Sequence, residues 1–238
     1  MSYSPESYER DFYASDASLD TRGAFLRRVY GHVFGAVALM VVLIAAIVST
    51  PLAGPLLNLA MHAWWAVLIG FVAVTWIAQK MAYSQSSVGT QYMGLGLYVL
   101  AQSVILTPMI LIAMHMVPNG GTIVLQAAGL TLLVFGGLTA VVLYSGADFS
   151  FLKGAVTIGS LAAVGAIIIS LVFGVNLGTW FSVAMIVLLA GTILWETSVI
   201  RNEWPTDAHV AASLALFGSL STMFFYILRL LLAFAAED

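Results

Sequence analysis

The chain has 238 residues, 61% of them apolar and only 8% charged, with a net charge of -3 and no cysteine. So few charges cannot cover the apolar core of a soluble fold this long, and a charge of -3 leaves no basic stripe for nucleic acid. The missing cysteine removes disulfide scaffolds, thiolate metal sites and cysteine nucleophiles together.

Residues 1–28 carry Glu6, Glu9, Arg10, Asp11, Asp16, Asp20, Arg22, Arg27 and Arg28. A secretory signal puts its apolar stretch near the start, behind a short basic end, and this segment does not. It is expected to be a polar cytoplasmic tail, without regular structure over much of its length. Residues 29–238 read as one membrane domain. A spanning helix needs about 20 mainly apolar residues to cross ~30 Å of hydrocarbon. Seven segments meet that length or approach it, at 29–50, 63–78, 92–115, 122–144, 155–175, 179–200 and 209–234. The predicted fold class is therefore all-α and integral to the bilayer, a bundle of seven transmembrane helices.

Basic residues are retained on the cytoplasmic side of a membrane. Arg10, Arg22, Arg27 and Arg28 precede the first span, Lys80 follows the second, Lys153 the fourth and Arg201 the sixth, all on one side of the bundle. The N-terminus is thus expected in the cytoplasm and Glu237–Asp238 outside, in a multi-pass protein of the cell's inner membrane. Both lysines fall in loops, which excludes a retinal Schiff base, and the orientation excludes a G-protein-coupled receptor.

Ionisable groups within spans are expensive, so they are functional candidates by default. Glu196 in the sixth span reaches the interface as a partly solvated carboxylate, pairs with Arg201, fastens the sixth and seventh spans by an interhelical hydrogen bond, or faces the interior as a proton- or cation-responsive switch. Arg229 in the seventh span can snorkel to the outer interface. Asp207 and His209 form a candidate pH-sensitive pair where that span begins. Ser213, Ser219, Ser221 and Thr222 make a polar row along it, with Ser219 and Thr222 on one face. Pro108 is expected to kink the third span. Gly31 and Gly35, Gly136 and Gly137, and Gly159 and Gly165 read as sites of close helix approach. The histidines show no zinc spacing, and hydrolase, metalloprotease, nucleotide-loop and dinucleotide motifs are absent, so no enzyme activity is expected. No cofactor is expected beyond transported or weakly bound calcium, and the identity of any bound metal stays open.

Three stretches resemble the Bax inhibitor-1 family, and within it the bacterial branch of the FtsH protease modulator YccA. They are GLTAVVLYSGADFSFLKG at 137–154, ILWETSVI at 193–200 and ASLALFGSLSTMFFYILRLL at 212–231. The first contains the family-type loop with Asp148, Phe149 and Ser150. The resemblance implies either a calcium leak gated by two aspartates on the last two spans, or binding to the membrane AAA protease FtsH. Here the first aspartate position matches Glu196, and the second falls on Ser219, which cannot ionise. Two readings stay open: a protease modulator offering its tail as a docking element, and a pH-sensitive calcium leak with Glu196 at the gate.

Overall fold

A computed structural model describes residues 13, 14, 17–84 and 87–236. Glu6, Glu9, Arg10, Asp11 and Asp16 of the expected tail, and Glu237–Asp238, lie outside the described residues. The helices are α1 (Leu19–Val48), α2 (Ala53–His62), α3 (Trp64–Ala82), α4 (Val88–Met116), α5 (Gly120–Ser145), α6 (Lys153–Phe173), α7 (Gly178–Asn202) and α8 (His209–Ala235), with a 3-10 turn at Ser150–Leu152 before α6. Seven of them are long and apolar enough to cross a membrane.

Two boundaries differ from expectation for identifiable reasons. α1 starts at Leu19, ten residues before the expected first span, because Ser18 caps it: its hydroxyl accepts the Thr21 N–H at 3.2 Å, and Asp20 sits in the first turn. The stretch 19–28 is therefore helix, polar enough to continue beyond hydrocarbon. The loop expected at 51–62 contains the short helix α2, which apolar periodicity over so few residues could not distinguish from coil. Ser87 caps α4 in the same way as Ser18 caps α1, accepting from the Thr90 N–H at 3.1 Å. α4 continues as helix on both sides of Pro108, beside which Thr107 Oγ1 donates to the Ser103 carbonyl at 2.7 Å. α5 and α6 end at Gly146 and Gly174, whose φ values of 69° and 68° are left-handed.

α8 is the hub. It packs against α1, α3, α4, α5 and α7, burying Leu216, Phe217, Met223 and Leu228 completely. α6 sits at the edge, against α7 and the 3-10 turn. α3 and α4 approach closely at Gly94, where a Cβ would lie 2.5 Å from the Ala82 nitrogen and 2.6 Å from the Ala78 carbonyl oxygen. The expected close-approach glycines behave differently. Gly31, Gly35, Gly136, Gly137 and Gly165 have nothing within 4 Å of a built Cβ, and only Gly159 meets a neighbour, Leu188 Cδ1 at 2.7 Å. Spacing along a helix fixes which residues share a face, and says nothing of whether another helix faces them.

The N-terminal segment meets the loop between α7 and α8 on the side where α1 begins, called here the N side. Tyr13 forms an antiparallel bridge with Pro205, and the Ala14 N–H donates to the Trp204 carbonyl at 2.9 Å.

Candidate functional site

Ser219 on α8 and Glu196 on α7 meet across the helix interface, the Ser219 hydroxyl donating to Glu196 Oε2 at 2.7 Å. They line a polar cavity of about 300 Å³ together with Gln79, Tyr83, Tyr98 and Thr222. Helical geometry explains the α8 contribution, since residues three apart share a face. Thr222 Oγ1 donates to the Gly218 carbonyl at 2.7 Å, which satisfies its hydroxyl within the helix. Gly218 is the space-maker: a Cβ there would stand 2.7 Å from the Tyr98 hydroxyl. The glycine lets the Tyr98 phenol lie against α8, where Gln102 Nε2 reaches it at 3.5 Å.

Two further cavities adjoin this one. On the N side, a cavity of about 860 Å³ is lined by Tyr83, Ser84, Ser87, Gln91, Glu203 and Asp207, among others. Tyr83 borders both spaces. Burial, with the Glu196 carboxylate nearby, pushes its phenol up to about 12, so Tyr83 stands there as a neutral hydroxyl. Toward the opposite side lies an apolar cavity of about 560 Å³, and Thr222 lines both it and the Glu196 cavity. Three cavities thus follow one another, with Glu196 in the middle one.

The remaining predicted residues divide into three places. Arg201 does not pair with Glu196. It turns to the end of α5, donating from Nη1 to the Val142 carbonyl at 2.5 Å and from Nη2 to those of Gly146 and Ala147 at 3.0 and 3.3 Å. The last carbonyls of a helix lack intrahelical donors, so a cation there has more to gain than beside a carboxylate already hydrogen-bonded by Ser219. The loop that follows is locked to α7. Asp148 Oδ1 accepts from the Ser150 N–H and the Ser198 hydroxyl, Oδ2 accepts from the Ser150 hydroxyl, and the Phe149 N–H donates to Ser198 Oγ, each at 2.9 Å. The Ser150 N–H, then the two hydroxyls, hold the Asp148 carboxyl below the usual range.

Asp207 and His209 do not meet through their charged groups. His209 Nδ1 donates to the Asp207 backbone carbonyl at 3.0 Å, and its ring lies 5.2 Å from that of His32. Tyr92 sits between the two histidines, 2.8 Å from His32 Nε2 and 3.4 Å from His209 Nε2. The polar row on α8 also splits. Ser213 donates to the Val29 carbonyl of α1, and Ser221 to the Phe217 carbonyl of its own helix, so only Ser219 and Thr222 reach the Glu196 cavity. Arg229 lines the apolar cavity. Among the described residues no three His, Cys, Asp or Glu side chains group as metal ligands.

Sequence reasoning missed Gln79, Tyr83 and Tyr98 at the cavity, and Ser198 and Arg201 at the loop. Gln79 was the one legible signal, an amide at the edge of an apolar run. The tyrosines looked like interfacial aromatics, and their placement depends on Gly94 and Gly218.

A family profile described as "Inhibitor of apoptosis-promoting Bax1" matches residues 22–236. The chain belongs to the Bax inhibitor-1 family. This Bax inhibitor-1 protein is similar to the uncharacterized protein PA2604 of Pseudomonas aeruginosa, 33% identical over 114 residues, covering 48% of this chain and 51% of that protein. It is 27% identical over 173 residues to the uncharacterized protein NMA0420 of Neisseria meningitidis serogroup A, covering 72% and 74% of the two chains. An uncharacterized membrane protein of Vibrio cholerae is 29% identical over 116 residues, covering 48% and 51%. The chain thus spans about half the length of the Pseudomonas and Vibrio relatives it matches. Its seven apolar helices and family membership make it a multi-pass membrane protein of Bax inhibitor-1 type.

Proposed function

We propose that this protein is a regulated cation leak, calcium being the ion, in the bacterial inner membrane, with its N side in the cytoplasm. The observation that carries the reading is the position of Glu196: a carboxylate held by Ser219 in a polar cavity, flanked by one cavity beyond Tyr83 and another beyond Thr222. A carboxylate within a span attracts a cation while charged and loses that attraction on protonation, so flux through the file follows its charge state. One carboxylate with hydroxyls and an amide makes a weak oxygen site, which suits passage better than storage. The orientation rests on Arg22, Arg27, Arg28, Lys80, Lys153 and Arg201, all on the N side.

The test is calcium entry into proteoliposomes across neutral pH. Flux above empty liposomes that depends on pH, with the pH dependence abolished by Glu196→Gln, is the expected result. No flux above empty liposomes, or flux indifferent to Glu196→Gln, overturns the reading. Ser219→Asp sharpens it: two adjacent carboxylates cannot both ionise comfortably, so the pH response should split into two steps.

A second reading, docking on the membrane protease FtsH, is favoured by the part of α1 that continues beyond the apolar stretch with Asp20, Arg27 and Arg28 exposed. Affinity capture in mild detergent should recover the protease with the intact chain and less of it with Arg27→Glu/Arg28→Glu. Equal recovery, or none from either chain, removes this reading.

A further inference from the structure

The apolar cavity around Arg229 is larger than the Glu196 cavity and different in character. Its walls are Trp64 and Phe71 of α3, Met109 and Ile112 of α4, Phe181 of α7 and Phe225 of α8. Along α8 it runs from Thr222 to Leu232, ten residues or about 15 Å. That is half of a hydrocarbon layer ~30 Å thick, the half opposite the N side. Arg229 stands near its outer end and, among the described residues, has no ion-pair or hydrogen-bond partner. An unpaired guanidinium beside apolar walls at membrane depth is costly, and an anion that brings its own apolar body relieves the cost.

We propose that this cavity is a binding site for one anionic phospholipid of the leaflet opposite the N side, with an acyl chain between α3 and α8 and the phosphate on Arg229. A planar guanidinium matches a phosphate oxygen pair, and the apolar walls suit hydrocarbon and no free inorganic anion. A helix from another chain would have to carry a carboxylate at membrane depth to reach Arg229, whereas a phospholipid brings its phosphate from the headgroup layer. The cavity is also the outer one of the three in the Glu196 file, so a lipid seated here narrows that path, and its retention is read without any flux measurement.

The experiment is native mass spectrometry of the full chain in mild detergent, titrated with phosphatidylglycerol and phosphatidylcholine of identical acyl chains. The expected result is one tightly retained lipid per chain, with phosphatidylglycerol preferred about fivefold, the effect of a single basic residue near an anionic headgroup. Arg229→Gln should abolish the preference and Arg229→Lys keep most of it. Met109→Trp, which fills the cavity away from the charge, should reduce retention of both lipids. Equal retention of the two lipids by the unaltered chain, or a preference that survives Arg229→Gln, overturns the site and leaves annular lipid only. If Arg229→Gln fails to fold, the unaltered chain's preference and the loss of retention in Met109→Trp together decide.

Discussion

α6 and α8 are both apolar helices of spanning length, yet they occupy opposite situations. α8 has 78% of its most apolar stretch buried against other helices, and α6 has 6%. By mean hydropathy the buried helix is the less apolar of the two. In water that order would be reversed, because burial there is driven by removing apolar surface from solvent. In a bilayer the tails satisfy apolar side chains as well as a protein core does, so helices associate through packing and polar contacts. Ser213, Ser219 and Ser221 therefore belong to the centre, and Ile158, Leu161 and Phe173 of α6 face outward.

Substitutions matched between the two helices test that contrast. Phe217→Ala on α8 should cost about 2 kcal/mol, the cavity left by a fully buried ring without the transfer from water that lipid makes irrelevant. Phe173→Ala on α6, where the ring is 74% exposed, should stay within about 0.5 kcal/mol. Thermal unfolding in detergent reads both, and equal losses would break the contrast. Gly218→Ala should cost about 1 to 3 kcal/mol by forcing the Tyr98 hydroxyl away. Gly165→Ala, which meets nothing within 4 Å, should be neutral or slightly stabilising through helix propensity. Ser219→Ala should cost only about 0.6 kcal/mol, as interhelical polar contacts do on average, while altering calcium flux. A large stability loss with unchanged flux would make that bond a fastener between α7 and α8.

The smallest effect concerns pH. Folding depresses the Asp148 carboxyl, so its contribution is present above the ordinary carboxylate value of 3.8 and disappears as pH falls through the lower folded value. Stability measured from neutral pH down toward that value should therefore be indifferent to Asp148→Asn in its slope, although not in its level. A slope difference near neutrality would place a second titrating group against the loop.

The same contrast explains what could be read from the sequence. Seven spans were legible because length and apolar content are local properties, and they gave the helices to within a few residues at most ends. The start of α1 was not, since a serine cap on a polar stretch is a weak signal beside the hydropathy boundary at residue 29. Glu196 and Ser219 were legible as chemistry, and their contact follows from two adjacent spans facing each other. Tyr98 and Tyr83 were not, because a tyrosine's role here is decided by which glycine of another helix leaves room for it. Pairing with Arg201, five residues on, is one alternative the sequence offers for Glu196. The target of Arg201 is a helix end more than fifty residues away, which no local pattern announces.

The hub of the bundle is synthesised after the other six spans. Until α8 arrives, Glu196 lacks the hydroxyl that holds it and the Val29 carbonyl lacks its bond from Ser213, 184 residues further along the chain. The first six spans must wait in the membrane with these groups turned toward lipid or one another, an assembly intermediate with costly polar faces. A chain interrupted before residue 209 would keep those faces permanently, so loss of α8 exposes the kind of surface by which a cell recognises an unfinished membrane protein.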